Sequence, residues 1–303
     1  MLIVVVSLLM IAAARAAALL PVVLVDNGSK RAGAALALRE SAEALSARLG
    51  GRKVHAASLA YSDTVPPSDL GGTRAQTLNQ TLTALEASGA EGAIVTPLFL
   101  GPSEGLRRTL VACTGVLAEE FDLRVGACLV DEDAPDDARV ARALASNVLR
   151  VARRERLSQP LRVVVCDHGT PSRRVNDVRE RLAAELRAVL GRRADSVISA
   201  SMERREGAKY DFNEPLLENC LAAPPYDAGD VILAMAFLSP GRHAGEGGDV
   251  AQIVQSAQSE ATRGPLRVHV TPLLASHSSV IGVLADRVRE ADAAEVPAPV
   301  ASA

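Results

Sequence analysis

The chain has 303 residues, of which 48% are hydrophobic and 23% charged, a composition typical of a globular protein with about two domains. A net charge of -3, three Tyr, four Phe and no Trp argue against nucleic-acid binding, which uses basic and stacking surfaces. The four cysteines are spaced too widely for a paired metal-thiolate motif and do not form a disulfide framework, which favours the reducing cytoplasm or plastid stroma.

Residues 1–20 form an apolar leader with a single charge, Arg15. The run 2–14 has the length of a signal-peptide core and 14–16 resembles a cleavage site, but no basic residue precedes the run. A signal sequence, a membrane anchor and an upstream start therefore all stay open. We expect membrane contact only if the leader is an anchor. At the other end, 291–303 is of low complexity and is expected to be disordered.

From Leu20 onward, apolar runs of strand length alternate with segments of helical periodicity. In the first half the sequence predicts a strand within LPVVLVDNGS, further strands at 53–59, 92–100 and 123–130, and helices at 35–49, 73–88, 106–120 and 136–153. Strands that alternate with helices are typical of a parallel sheet with helices on both faces. The fold class is therefore α/β.

Residues 161–191 repeat residues 20–50 without a gap, at an offset of 141 residues. The matched pairs include an aspartate and a glycine: Asp26 on Asp167, and Gly28 on Gly169. This internal duplication predicts two tandem, similar parallel-sheet domains with flavodoxin-like layers, at 21–150 and 160–290. Because one chain would already contain a pseudo-dimer, we expect a monomer.

Three candidate chemical groups follow predicted strands of the second half: His168, Glu203 and His243. His243 lies in the glycine-rich loop GRHAGEGGD, directly after the apolar run 231–237. The carboxyl ends of parallel strands meet at one edge of a sheet, so the three side chains are expected to converge. The first half has Asn27 and Ala60 at the first two positions and no histidine in the third loop, so the chemistry belongs to the second half.

Two imidazoles and a carboxylate suit a divalent first-row metal with open coordination positions, and the carboxylate could serve as a base instead. His168 and His243 are candidate metal ligands, and Glu203 is either a third ligand or a base. A single histidine at a strand end is more often a turn residue, so the prediction rests on the three groups together. Glu246 and Asp249 could be outer ligands, but a helix N-terminus also attracts carboxylates, and this second interpretation is preferred.

Arginines accompany all three loops and are predicted to bind a substrate that carries several carboxylates or phosphates. They are Arg173, Arg174, Arg204, Arg205 and Arg242. The alternative is a solvated basic surface. The glycine-rich loop could also cradle a phosphate, but GxxxxGK[ST] and a GxGxxG after the first strand are both missing, so no nucleotide cofactor is expected.

The second half resembles the class II tetrapyrrole chelatases, the sirohydrochlorin cobaltochelatase and ferrochelatase (CbiX/SirB-like) family. Three segments carry the resemblance: DHGTPSRR at 167–174 to the first histidine motif, SMERREGAKYDFNEPLLE at 201–218 to the glutamate region, and FLSPGRHAGEGGD at 237–249 to the second histidine loop. The first half departs from the family at each functional position and is expected to bind no metal.

The resemblance implies a lyase that inserts cobalt, iron or nickel into a sirohydrochlorin-type tetrapyrrole, in cobalamin or siroheme biosynthesis. It implies that His168, Glu203 and His243 are the catalytic residues and that the divalent metal is a substrate. The alternative from another class is a non-catalytic tetrapyrrole- or metal-binding protein, in which the histidines would be ligands without turnover.

Overall fold

The structure, a computed structural model, describes residues 19–294, so nearly all of the predicted leader and most of the predicted tail lie outside the described residues. The elements in chain order are β1 (Val22–Asp26), α1 (Ala32–Arg48), β2 (Val54–Ser58), β3 (Gln76–Thr77), α2 (Leu78–Ala87), β4 (Gly92–Pro97), α3 (Glu104–Thr114), β5 (Asp122–Val125), α4 (Arg139–Arg154), β6 (Leu161–Asp167), α5 (Arg173–Leu190), β7 (Ala194–Ser201), α6 (Leu217–Leu221), β8 (Gly229–Met235), α7 (Asp249–Glu260), β9 (Leu266–Val270) and α8 (Ser278–Ala293). Between residues 19 and 294, none of the helices is long and apolar enough to span a bilayer.

The strands form two separate sheets, and all strand pairs in both are parallel. The first has the order β3-β2-β1-β4-β5 and the second β7-β6-β8-β9. This confirms the predicted α/β fold with two parallel-sheet domains. The two halves also agree in register, since Asp26 lies opposite Ser58 in the first sheet and Asp167 lies opposite Ser201 in the second.

The core is built from strands that are apolar on both faces, as expected for parallel sheets covered by helices. In β1, Val22 and Leu24 face the space between the two sheets, whereas Val23 and Val25 face the outer side of the first sheet. The layer between the sheets contains α1, α4, α5 and α8. Helices α2 and α3 cover the outer face of the first sheet, and α6 and α7 cover that of the second.

The last helix of each half packs on the sheet of the other half. Helix α4 follows the first sheet but packs against β8 and α5, whereas α8 packs against β4 and α1. The Asn147 amide of α4 donates to Pro272 O at 3.2 Å, and Arg287 of α8 donates to Cys128 O at 3.3 Å. The domain bounds 21–150 and 160–290 stay a prediction, and the packing of these helices crosses them.

Several element ends differ from the sequence prediction, and at two helices a side-chain cap sets the start. The helix predicted at 73–88 begins at Leu78, since Thr77 Oγ1 accepts from Gln80 N at 3.3 Å and Gln80 Oε1 accepts from Thr77 N at 2.9 Å. The helix predicted at 106–120 begins two residues earlier, where Ser103 caps it, and ends at Thr114. The strand predicted at 123–130 ends at Val125.

Candidate functional site

The loop that carries His168 is built directly on the backbone that carries Glu203. Asp167 ends β6, and its Oδ1 accepts from Gly169 N at 3.0 Å, which closes a tight turn around His168. Gly169 has a φ of +89°, which favours glycine, and a Cβ there would lie 1.9 Å from Glu203 O. His168 O accepts from Glu203 N at 3.2 Å. The two residues are therefore held together by their main chains.

The structure brings the three predicted side chains together at the carboxyl edge of the second sheet. The ring centroids of His168 and His243 lie 4.4 Å apart with a 45° angle between the rings. His168 Nε2 lies 3.4 Å from Glu203 Oε1. The side chains keep 47%, 58% and 32% of their surface exposed for His168, Glu203 and His243, so a ligand can reach all three. Their chemical roles stay a prediction.

The predicted metal ligands of this cluster are two imidazoles, those of His168 and His243. In the part of the chain that the structure describes, no group of three or more His, Cys, Asp or Glu side chains is arranged to hold a metal ion. Two histidines leave most coordination positions to other ligands. Burial and the neighbouring His243 lower the pKa of His168 below its ordinary 6.5, which favours the neutral imidazole that binds metals.

Asp249 holds His243 in place from behind. Asp249 is the first residue of α7, and its Oδ2 lies 2.6 Å from His243 Nδ1. A carboxylate on one ring nitrogen fixes the tautomer and leaves Nε2 free to act as a ligand. The sequence interpretation of Asp249 as a helix-terminal carboxylate was therefore incomplete, since it also binds the histidine. Glu246 is exposed.

Sequence reasoning missed two residues near the site. The first is Arg179, a buried arginine of α5 that donates to Ser201 at the end of β7. The second is Asn213, whose Oδ1 accepts from Thr170 N at 2.9 Å and whose amide donates to Thr170 O at 2.9 Å. The duplication contained a signal for the first of them, because Leu38 stands where Arg179 does in the second copy.

The five predicted substrate-binding arginines differ in how far their charge is already neutralised. Arg204 lies 2.8 Å from Glu214 and 2.9 Å from Asp211, and Arg174 lies 2.6 Å from Glu132 of the first half.

The other three arginines have weaker partners. Arg173 lies 4.8 Å above the ring of Phe212, Arg205 bonds to the Tyr210 hydroxyl, and Arg242 is 77% exposed at 3.8 Å from Asp249. Binding of an anionic substrate stays a prediction, and these three carry the most available charge.

The corresponding edge of the first sheet has the same frame without the chemical groups. Asp26 Oδ1 accepts from Gly28 N at 3.0 Å and from the Ser58 hydroxyl at 2.7 Å. Gly28 has a φ of +82°, and a Cβ there would lie 1.8 Å from Ala60 O. Asn27 occupies the position of His168. Burial raises the pKa of Asp26 to about 6, although the hydrogen bonds from Ser58 and Gly28 act to lower it.

Residues 162–291 match the family model described as CbiX. No curated protein sequence gives a significant match. SirB from Bacillus subtilis with Fe3+ has a TM-score of 0.64 and 16% identity, over 90% of this chain and 95% of that chain. The sirohydrochlorin chelatase SirB from Bacillus subtilis subspecies spizizenii in complex with cobalt has a TM-score of 0.63 and 16% identity, with the same coverage.

A multi-domain protein from Deinococcus radiodurans, with structural similarity to chelatases and two additional domains, is also similar. Its TM-score is 0.60 and its identity 19%, over 90% of this chain and 56% of that chain. Identities this low show a common fold. The structural similarity to these proteins extends over both halves of the chain, whereas the family model covers the half that contains His168 and His243.

Proposed function

We propose, from the match of residues 162–291 to the CbiX family model, that this chain is a sirohydrochlorin chelatase that inserts Co²⁺ or Fe²⁺ into the tetrapyrrole. The observation that carries the proposal is the convergence of His168, Glu203 and His243 at one sheet edge, with histidine rings 4.4 Å apart. The other copy has the same backbone frame without these groups, so the frame alone does not require them.

In the proposed reaction the metal ion is a substrate, and two pyrrole N–H protons leave the macrocycle as the metal enters. The imidazoles of His168 and His243 hold the ion with most of its positions open, so the pyrrole nitrogens can replace the remaining ligands. Glu203 Oε1, which is 3.4 Å from His168 Nε2, accepts the two pyrrole protons one after the other and passes each to solvent through its exposed side chain. No step requires a nucleotide.

The surroundings support an anionic substrate that arrives from solvent. Three arginines near the candidate groups in sequence keep charge available for peripheral carboxylates of the macrocycle: Arg173 at the start of α5, Arg205 two residues after Glu203, and Arg242 next to His243. Their exposed positions suit a ligand whose carboxylates lie around a large ring. The bond between Asp249 Oδ2 and His243 Nδ1 fixes the orientation of the imidazole and leaves Nε2 available to the metal ion. The ring therefore need not reorient when the ion arrives.

The test is the anaerobic absorbance spectrum of sirohydrochlorin mixed with the full chain and Co²⁺ or Fe²⁺. We expect metallation faster than with metal alone, and loss of that acceleration in His168→Ala and His243→Ala. The matched control is Asn27→Ala, which removes the side chain at the equivalent position of the first half and should leave the rate unchanged.

Full acceleration in both histidine variants would refute the proposal. A spectral change on binding without faster metallation would instead identify the competing function, a non-catalytic tetrapyrrole- or metal-binding protein. The carboxylate beside His168 favours turnover over binding, since a ligand site has no need of a proton acceptor there.

A further inference from the structure

Arg179 is a fully buried cation beneath the candidate site. It lies in α5, and 1% of its surface is exposed. Its Nη1 donates to the Ser201 hydroxyl and lies 3.4 Å from both Asp167 Oδ1 and Asn213 O. Its Nη2 lies 2.8 Å from Glu180 Oε1. One guanidinium thus joins the ends of β6 and β7 to the segment around Asn213.

Each segment that Arg179 joins supports part of the candidate site. Asp167 immediately precedes His168, and Ser201 lies two residues before Glu203. Asn213 binds both main-chain groups of Thr170 and so closes the far side of the His168 loop. A guanidinium with several fixed donors can set the distances between such segments. Arg179 therefore contacts both of the strand ends that precede His168 and Glu203.

The first half shows that the turn itself does not need this cation. There Leu38 occupies the equivalent position, and the Ser58 hydroxyl bonds directly to Asp26 at 2.7 Å. The glycine turn after β1 forms in the same way as the one after β6. A buried ion pair is weak evidence for stability, because desolvation offsets its attraction. Its presence in one copy alone thus points to the site that only this copy has.

We propose that Arg179 is a positioning residue of the metal-insertion site, which fixes His168 relative to Glu203 without touching metal or tetrapyrrole. The inference rests on the proposed function. It goes beyond that function by assigning a task to a residue that solvent and substrate do not reach.

The experiment compares Arg179→Leu, which introduces the residue of the other half, with Arg179→Lys and with Arg181→Leu. Arg181 is the matched control, because it also lies in α5 but donates to Asp131 O and Ala134 O of the first half, away from the histidines. Two quantities are measured on the full chain: Co²⁺ affinity without tetrapyrrole, by equilibrium dialysis, and kcat and KM for metallation of sirohydrochlorin. Circular dichroism and thermal melting verify folding.

We expect Arg179→Leu to lower Co²⁺ affinity and kcat roughly 10- to 100-fold, the range seen when the groups that orient metal ligands are removed. KM for sirohydrochlorin should stay near the wild-type value. Arg179→Lys should lie between Arg179→Leu and the wild type, because an ammonium can still reach Ser201 or Asp167 but not all the partners at once. Arg181→Leu should keep wild-type affinity and kcat.

Wild-type affinity and kcat in a folded Arg179→Leu protein would overturn the proposal, as would equal losses in Arg179→Leu and Arg181→Leu. If Arg179→Leu does not fold, Arg179→Lys decides: reduced Co²⁺ affinity supports the proposal and unchanged affinity overturns it. A wild-type chain that binds Co²⁺ without metallating sirohydrochlorin would refute the proposed function, whereas the Co²⁺ affinities would still decide the role of Arg179.

Discussion

Asp249 Oδ2 lies 2.6 Å from His243 Nδ1, and this contact links the N-terminus of α7 to the centre of the candidate site. The aspartate therefore acts in two ways. Its charge suits the positive end of the helix, and its oxygen determines which nitrogen of the imidazole stays free.

Asp249→Ala is expected to lower Co²⁺ affinity roughly 10- to 100-fold, because His243 loses the partner that fixes its tautomer and orientation. Equilibrium dialysis measures the affinity. The control is Glu246→Ala, which removes an exposed carboxylate of the same loop and should have no effect. Equal affinities for Asp249→Ala and the wild type would show that the ring is oriented without this bond.

Glu203→Gln is expected to slow metallation about 10²- to 10⁴-fold, the contribution typical of a positioned general base. The amide keeps the size of the side chain but cannot accept a proton. Stopped-flow absorbance measures the rate, and Co²⁺ affinity should change much less than kcat.

The matched control for that variant is Glu206→Gln, three residues further along the same loop and exposed. A loss of Co²⁺ affinity as large as the loss of kcat would identify Glu203 as a metal ligand rather than a base.

Gly169→Ala and Gly28→Ala form a matched pair across the two halves. Each adds a Cβ at positive φ within 2 Å of a carbonyl oxygen, 1.9 Å from Glu203 O in the first case and 1.8 Å from Ala60 O in the second. Each should lower stability by more than about 1 kcal/mol. Only Gly169→Ala should abolish metallation, since only it displaces Glu203. Equal activities in the two variants would contradict the assigned site.

Asp26→Asn should stabilise the protein relative to the wild type at pH 8. Burial raises the pKa of Asp26 from 3.8 to about 6, so the folded state binds the proton more tightly than the unfolded state. Wild-type stability therefore falls as the pH rises from about 4 to about 6 and is level above that, with a loss of at most about 3 kcal/mol.

The asparagine does not ionise, so urea unfolding at several pH values should show a variant whose advantage grows between about pH 4 and pH 6 and then stays constant. A constant difference in the free energy of unfolding between variant and wild type across that range would mean that Asp26 has the same pKa in the folded and unfolded states.

Arg242→Ala and Arg204→Ala should separate substrate binding from stability. Arg242 is 77% exposed, so its loss should raise KM for sirohydrochlorin, more at low salt than at high salt. Arg204 is held by Glu214 and Asp211, so its loss should lower the melting temperature and leave KM nearer the wild-type value. The reverse pattern would show that Arg204 exchanges its partners for the substrate.

The sequence was sufficient for the fold and for the convergence of the three groups, because both follow from periodic patterns. Parallel strands end at one edge, so His168, Glu203 and His243 had to approach each other once the strands were placed. The bond from Asp249 to His243 could not be predicted in this way, since it depends on the path of a loop rich in glycine. Arg179 was missed because an arginine in an amphipathic helix usually faces solvent.

The sequence pattern also could not predict that α4 and α8 each pack on the sheet of the other half. Helical periodicity shows that a helix has an apolar face, but it does not show which of two similar sheets that face will cover. Both sheets offer an apolar face to the layer between them. The choice depends on the connections, and the sequence pattern carries little information about those.

The exchanged helices mean that the halves are not independent units of folding. A fragment that ends after α4 would carry a helix fitted to an absent sheet, and its own sheet would lack the cover that α8 provides. Expressed separately, both fragments would present large apolar faces to water and aggregate, whereas fragments made together could reassemble. The first half, which has Asn27 and Ala60 in place of His168 and Glu203, thereby supplies structural support to the half that carries the candidate site.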